Sequence, residues 1–378
     1  MFAVNQTDIE IILKDFGIIS KIKYISELQR SDYERNDPDS KEVRLIVKAE
    51  QESGPPLVIR FKNEPDVTME LLESQSRFAD EMRRNGIITP YPYQSGGVFV
   101  RRYRVKYPGD LISEAADGFP CGQEYLAGGS AEISGYDVLV TVEQFAENEI
   151  KAVDPAIAEK TGALLAKMHN ISEKKDLHVQ NGVLFDPFSA NELFDFEAFR
   201  SVESALGEDE EILFHKIVRK YNAYMDVLAP LKKEPKYAVQ GDISNCNLYR
   251  DRSGEIGIFD FNRCGDNHLF CDLVMQAVFE ARLMDYPDDS NEDIEEKILT
   301  SFLRGYGSAR SFSEEEKSWY PYLYAVIDAF WSSDMKWNED SLMNAVKNGD
   351  RESVRRWLEI IWGRLGNRHE IIGTDCAG

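Results

Sequence analysis

Cysteine is scarce in this chain. There are five, an odd number, at Cys121, Cys246, Cys264, Cys271 and Cys376, with no Cys-x-x-Cys spacing. That excludes a disulfide framework and a zinc knuckle, and it is the cysteine usage of a reducing compartment. Basic charge is also short. Lys and Arg number 44 against 67 Asp and Glu, a formal charge of −23, so the surface repels nucleic acid and anionic lipid, and neither is expected as a partner. No uninterrupted apolar run approaches the length of a membrane span, and no internal repeat or low-complexity tract is visible. The opening residues Met1-Phe2-Ala3-Val4-Asn5-Gln6-Thr7-Asp8 lack a basic stretch ahead of an apolar one, so a cytoplasmic setting without a secretory leader is expected. What remains is a globular composition, 43% apolar and 29% charged, over 378 residues, enough for one large bilobal domain or two ordinary ones.

The patterning changes character partway along. A short helix over residues 7–16, stopped by Gly17, precedes alternating segments at 21–25, 43–48 and 57–62, which predict an antiparallel meander. A polar loop, 30–40, joins the first two. Asp66 is expected to cap a helix ending at Gly86, with Leu71, Leu72, Phe78, Ala79 and Met82 as its apolar stripe. Strands at 97–101 and 136–142 follow, the second after a glycine-rich loop, Gly128-Gly129-Ser130, that lacks the strand-to-helix context of a phosphate cradle. Beyond residue 147 the pattern is helical. Asp154-Pro155 opens a helix with Ile157, Leu164, Leu165 and Met168 on one face, and further helices are expected at 206–229, 271–284, 291–306 and 318–362. The exception is a hairpin, 247–250 with 255–259, turning at Asp251-Arg252-Ser253-Gly254. The fold class expected is α+β: an antiparallel β-sheet N-terminal lobe with one main helix (1–142), a hinge (143–147) and a mostly helical C-terminal lobe (148–378).

The residues flanking that hairpin bear most directly on chemistry. Asp242, Asn247 and Asp260 stand in the spacing Asp-x4-Asn-x12-Asp. A hairpin returns the chain close to its starting point, so residues before and after it converge. Asp242 is placed to orient and deprotonate a hydroxyl. Asn247 and Asp260 offer the oxygen ligands that Mg²⁺ prefers beside substrate phosphates. Phosphoryl transfer needs these three functions together.

The segment from Tyr237 to Leu273 resembles the signature of the aminoglycoside phosphotransferase and choline kinase-like superfamily, small-molecule kinases that share the fold of the eukaryotic protein kinases. The resemblance is carried by Gln240-Gly241-Asp242, Asn247, Phe259-Asp260-Phe261, Gly265-Asp266 and Asp272-Leu273, and it extends over most of residues 20–280. It implies a bilobal protein-kinase-like fold, with ATP and Mg²⁺ as cofactors. It implies transfer of the γ-phosphoryl group to a hydroxyl of a small molecule: an amino sugar, an amino alcohol or a sugar derivative. The roles it implies are Asp242 as catalytic base, Asn247 and Asp260 as metal ligands, and Asp272 as a buried acid bracing the catalytic loop. Glu143 and Phe145 resemble the residues whose backbone C=O and N–H meet the adenine edge. The acidic surface leans towards a cationic acceptor.

Four positions depart from that pattern. Gln240 stands where the superfamily usually has His. The strand lysine that contacts the α/β-phosphates aligns with Arg60, and Lys62 on the same strand face is the other candidate. The helix acid that normally pairs with this lysine is replaced by Gln75, which points with Leu71 and Phe78 while Glu73 points nearly opposite, so an ion pair to Arg60 is reduced to a hydrogen bond. The loop at 30–40 lacks the glycines of a phosphate-covering flap. These departures motivate an alternative, a nucleotide-binding pseudokinase with weak or no turnover. A kinase acting on protein is disfavoured, because no Ala-Pro-Glu-like sequence closes an activation segment after Asp260. His169 is expected to pack inside its helix, and Cys246 to be a small filler. Trp319, Tyr320, Tyr322, Tyr324, Phe330 and Trp331 read as core, or else as a pocket wall for an apolar or cationic substrate. The acidic residues Asp285, Asp288, Asp289, Glu292, Asp293, Glu295 and Glu296 read as a solvated face, or else as a cation site. The acceptor's identity and the oligomeric state carry no sequence signature.

Overall fold

A computed structural model describes residues 4–30, 43–106, 110–115, 135–189, 191, 193–243, 245–282, 285–288, 290, 293–367 and 369. The expected loop beyond Arg30 and the glycine-rich piece at 128–130 lie outside the described residues. The chain divides into two compact units, Met1–Glu147 and Asn148–Gly378.

The first unit is built on a six-stranded sheet of β1 (Ile22–Arg30), β2 (Val43–Gln51), β3 (Leu57–Asn63), β4 (Val100–Lys106), β5 (Asp110–Ala115) and β6 (Gly135–Gln144). Its order is β1-β2-β3-β6-β4-β5, with each neighbouring pair antiparallel. The expected meander is therefore β1–β2–β3. β5 has no counterpart in the sequence reading, and β6 takes up the first two residues of the expected hinge. β2 alternates buried and half-buried positions along its whole length, the mark of a strand whose two faces differ. Val43, Leu45, Val47 and Ala49 pack with Leu57, Ile59 and Phe61 of β3 against Ile9, Ile12 and Leu13 of α1 (Gln6–Asp15). Each such fully buried aliphatic side chain is worth about 1.5–3 kcal/mol against exposure. On the opposite face Val100 and Leu139 pack with Leu72 of α2 (Met69–Arg84). Alternation places Arg44, Ile46 and Lys48, then Val58, Arg60 and Lys62, then Thr141 and Glu143 on that second face. The N-cap of α2 is Thr68 rather than the expected Asp66: its hydroxyl accepts from the Leu71 N–H at 3.1 Å. Gly86, at φ +89, ends the helical turn as expected. β4 starts three residues later than expected, because Ser95 and Val98 first close a tight bridge on each other.

The second unit holds α3 (Pro155–Lys175), α4 (Phe196–Ser201), α5 (Glu208–Leu228), α6 (Leu269–Arg282), α7 (Ile294–Ala309), α8 (Glu314–Ala329), α9 (Leu342–Lys347) and α10 (Arg351–Gly366). Asp154 caps α3, accepting from Ile157 N–H at 2.7 Å, with Pro155 inside the first turn. α6 is buried on nearly all sides, as an apolar sequence without a polar stripe requires. α3 and α7 approach so closely that a Cβ on Gly162 would strike the Phe302 carbonyl. The helix expected over 318–362 is three helices. A π-helical turn, Ser333–Trp337, follows α8, and Gly349 at φ +68 with Asp350 as N-cap starts α10 afresh. Tyr320, Tyr324, Phe330 and Trp331 are buried, the core reading of those aromatics.

Two small ribbons interrupt the helices. β7 (Lys236–Val239) pairs with β10 (Gly265–His268), and between them in sequence β8 (Leu248–Arg250) pairs with β9 (Ile256–Ile258). The outer pair brings the segments after β7 and before β10 side by side.

Candidate active site

Between β7 and β8 runs the loop carrying Asp242 and Asn247; between β9 and β10 runs the loop carrying Asp260. Gly241 makes their close approach possible. It adopts φ +79, and a Cβ there would sit 2.7 Å from the Arg263 carbonyl oxygen of the other loop, so any side chain would be both strained and in collision. The hairpin closes with Phe259 N–H donating to the Asn247 carbonyl at 2.9 Å.

Gln240 joins the two loops. Its Nε2 donates to the Asp260 carbonyl at 2.9 Å and its Oε1 accepts from Asp242 N–H at 2.7 Å, with the side chain almost wholly buried. An amide offers one donor and one acceptor at once, which is what this position uses, so the absence of His here leaves the loops tied. The Asn247 Nδ2 donates to the Asp242 carbonyl at 2.7 Å and to its carboxylate Oδ2 at 3.0 Å. This orients the carboxylate and turns Asn247 Oδ1 the other way. Asp260 sits at φ +57, a left-handed backbone that costs a non-glycine residue on the order of 1 kcal/mol or more. Asn262 helps hold it: its backbone N–H reaches Asp260 Oδ1 at 3.2 Å, and its side-chain amide donates to the same oxygen. Among the described residues, Asn247 Oδ1 and Asp260 Oδ2 keep no hydrogen-bond partner. One amide oxygen and one carboxylate oxygen fit a hard divalent cation that completes its shell with substrate phosphates and water. No cluster of three or more His, Cys, Asp or Glu suited to a metal occurs among the described residues, so the protein alone offers no closed cage.

Behind the loop lies a buried chain of polar contacts. Ile243 N–H donates to Gln276 Oε1 at 2.9 Å, and Gln276 Nε2 lies 3.3 Å from Asp272 Oδ1. Asp272 Oδ2 meets His169 Nε2 at 3.0 Å, and His169 Nδ1 meets the Tyr306 hydroxyl at 3.0 Å. Asp272 therefore reaches the loop that carries Asp242 through Gln276, and His169 packs inside the fold as expected. Gln276 and Asn262 were not singled out from the sequence. Their signals are modest: Gln276 lies one helical turn after Asp272, and Asn262 two residues after Asp260. One turn beyond Gln276, Glu280 is also fully buried, and burial pushes its carboxyl up to about 8.

In the first unit, Arg60 and Lys62 are both buried on the same face of β3. Arg60 donates to the carboxylate of Glu143 on β6. An acidic partner thus reaches the strand cation after all, from the sheet, because Glu143 lies diagonally across the β3–β6 ladder from Arg60. Gln75 is buried, as its place on the α2 stripe required. Glu73 does not simply face away: its carboxylate accepts from the N–H groups of Phe99 at 2.7 Å and Val100 at 3.1 Å, fixing the start of β4. The Phe145 N–H expected at an adenine edge is already taken, donating to the Pro56 carbonyl at 2.8 Å. Because bonded pairs alternate in an antiparallel ladder, Glu143 opposite Val58 has its backbone groups turned to β3 as well. The Phe145 carbonyl is different. It faces Pro56, which has no N–H to return.

Asp293, Glu295 and Glu296 of the acidic run, with Tyr324, Arg282 and Leu299, line a cavity of about 360 Å³ at the C-terminal end of α6. Asp293, Glu295 and Glu296 are exposed, as a solvated face requires, and they also form one wall of this cavity. Cys246 is exposed. No helix among the described residues is long and apolar enough to cross a membrane.

A family model described as a phosphotransferase enzyme family matches residues 121–315, just over half of the chain and inclusive of both loops. Among solved structures, an amicoumacin kinase in complex with AMP-PNP, Ca²⁺ and Ami is 14% identical, with 94% of this chain and 93% of that chain covered and a TM-score of 0.53. A microcompartment-associated aminopropanol kinase is also 14% identical, covering 96% of this chain and 95% of that chain at a TM-score of 0.54. At such identities the likeness speaks for the fold, which is the protein-kinase-like arrangement of a β-sheet unit and a helical unit. No curated protein matches the sequence.

Proposed function

From a chain that belongs to the phosphotransferase enzyme family, we propose an ATP- and Mg²⁺-dependent kinase that phosphorylates a hydroxyl of a small molecule, with Asp242 as the base. The observation that carries this reading is the tie between the two loops: Gln240 bridges Asp242 N–H to the Asp260 carbonyl, while Asn247 holds the Asp242 carboxylate. A fold kept only for binding has no need of a base oriented in this way beside two unpartnered metal-suited oxygens.

In the reaction, Asp242 accepts the proton of the acceptor hydroxyl as its oxygen bonds to the γ-phosphorus. The bond to the bridging oxygen breaks, and the nucleoside diphosphate leaves. Mg²⁺, held through Asn247 Oδ1 and Asp260 Oδ2, would neutralise phosphate charge. The first unit supplies the nucleotide groups: Arg60 and Lys62 for the phosphates and, in place of the Phe145 N–H, the Phe145 carbonyl as acceptor for an exocyclic amine. The amicoumacin and aminopropanol kinases are named for acceptors that differ widely, and the acidic wall beside Tyr324 favours a cationic one here.

A thermal-shift titration with Mg·ATP followed by profiling of amino alcohols, amino sugars and sugar derivatives tests the proposal. Stabilisation by Mg·ATP and phosphorylation of at least one acceptor are expected. Binding without turnover across the whole panel would instead establish the pseudokinase reading.

A further inference from the structure

Glu280 is a buried ionisable group that the phosphotransfer chemistry leaves unused. It lies on α6, fully buried, and neither of its carboxyl oxygens makes a hydrogen bond of ordinary length among the described residues. α6 is packed by α3, α7, α8, β7 and β10. Of these, α3 turns the Thr161 hydroxyl towards the carboxyl, and among the described residues no charged side chain of any of them acts on it. Arg282, two residues further along α6, is taken up by Asp328. The Thr161 proton is committed to the Ile157 carbonyl at 2.9 Å, so this hydroxyl meets Glu280 with a lone pair. A carboxylate would face that lone pair in a dry site, whereas a carboxylic acid can donate to it. Burial without a cation favours the acid form, and the carboxyl is raised to about 8.

Asp272, Gln276 and Glu280 recur at every fourth residue of α6 and so stand one above another on a single face. Gln276 is the middle member. Its Oε1 accepts from Ile243 N–H at 2.9 Å, and its Nε2 lies 3.3 Å from Asp272 Oδ1, a long contact that holds the amide weakly on that side. A glutamine amide and a carboxylate four residues apart on a helix are within reach of each other. An ionised Glu280 therefore competes with Asp272 for the Gln276 amide, and rotation of that amide towards Glu280 takes its oxygen away from Ile243.

We propose that Glu280 is a positioning residue for the reaction at Asp242: while it keeps its proton, Gln276 holds the loop through Ile243, and when the proton passes to solvent the Gln276 amide turns to the carboxylate and the loop is released. The inference rests on the phosphotransfer reading for its effect on turnover, and on the α6 stripe alone for its effect on the loop. It gives the protein an alkaline limit set inside the helical unit.

The test measures kcat and KM from about pH 6.5 to 9.5 for the intact chain and for Glu280→Gln. Hydrogen exchange at the Ile243 amide is followed over the same range and corrected for the intrinsic rate. In the wild type, kcat is expected to fall about tenfold as pH rises through the Glu280 transition, the scale of one lost hydrogen bond. KM for ATP should not change, and Ile243 should lose protection in step. Glu280→Gln has no proton to lose there, so its kcat and its Ile243 protection should stay level. The same alkaline fall in both proteins, with Ile243 protection unchanged in the wild type, would overturn the role of Glu280. A rise in KM with kcat unchanged would also overturn it, since a loop released from below acts on turnover. Where no acceptor is phosphorylated, a loss of Ile243 protection with pH in the wild type alone would uphold the switch and set aside the phosphotransfer reading.

Discussion

The two regions proposed to carry the chemistry hold their polar groups in opposite ways. In the second unit, Asp242, Asn247 and Asp260 are fixed by neutral partners, Gln240, Asn262 and Gln276, acting on the side chains or on the loop backbone. These partners are themselves uncharged. In the first unit, Arg60 and Lys48 are held by carboxylates, Glu143 and Glu50, which cancel the charge a phosphate would use. The lesson is one of readiness. The loops hold their side chains through neutral contacts, whereas on the sheet face a nucleotide phosphate bound as proposed would have to displace a carboxylate.

The largest expected effect that sharpens this contrast lies at Gln276. Gln276→Met removes the acceptor of the Ile243 N–H and leaves Asp272 without its relay. Turnover should fall about tenfold or more with nucleotide affinity kept, because the residue acts through the loop; melting should drop by a few degrees for the unsatisfied buried groups. Steady-state kinetics beside a melting curve measure both, and an unchanged turnover number would break the claim that the loop is braced from below. A smaller effect is expected at Glu143. Glu143→Gln removes the carboxylate that pairs with Arg60, so ATP affinity should rise a few-fold while adenosine affinity does not move; weaker ATP binding would show that Glu143 assists the site. The smallest concerns pH. The Glu280 carboxyl is raised by burial from its usual 4.5 to about 8. The folded state therefore keeps a proton that the unfolded state has lost. That contribution to stability is fully present below about pH 4.5 and is lost as pH rises towards 8, at up to about 1.4 kcal/mol per pH unit. Denaturant titrations at pH 5 and 8 should show this decline in the wild type and its absence in Glu280→Gln.

Much of the architecture was legible because its signals are local. Alternation in β2 and β3, the Asp154-Pro155 start of α3 and the turn at Gly254 each depend on neighbours in sequence. The long helix expected over 318–362 was not, because apolar residues continue across both breaks, and of the two only the second carries a glycine stop and a cap, Gly349 and Asp350. The closeness of the two loops that carry Asp242, Asn247 and Asp260 was legible by spacing, since a hairpin converts a fixed separation into proximity. The hydrogen bonds that hold these side chains were less so. Whether Gln240 spans two loops, or Gln276 rather than Asp272 touches Ile243, depends on where separate segments meet. The ion pair of Arg60 escaped for the same reason: its partner was sought on α2, and a diagonal cross-strand neighbour supplied it from β6.

The most direct test of the whole account is ³¹P NMR of Mg·ATP turnover by the wild type and by Asp242→Asn, compared at equal nucleotide occupancy. The wild type should move the γ-phosphoryl group to an acceptor hydroxyl, and the variant should retain bound nucleotide while turnover falls about a thousandfold, the scale of a lost general base. Equal turnover by the two proteins would contradict the assignment of Asp242 and, with it, the reading of the paired loops as a phosphotransfer centre.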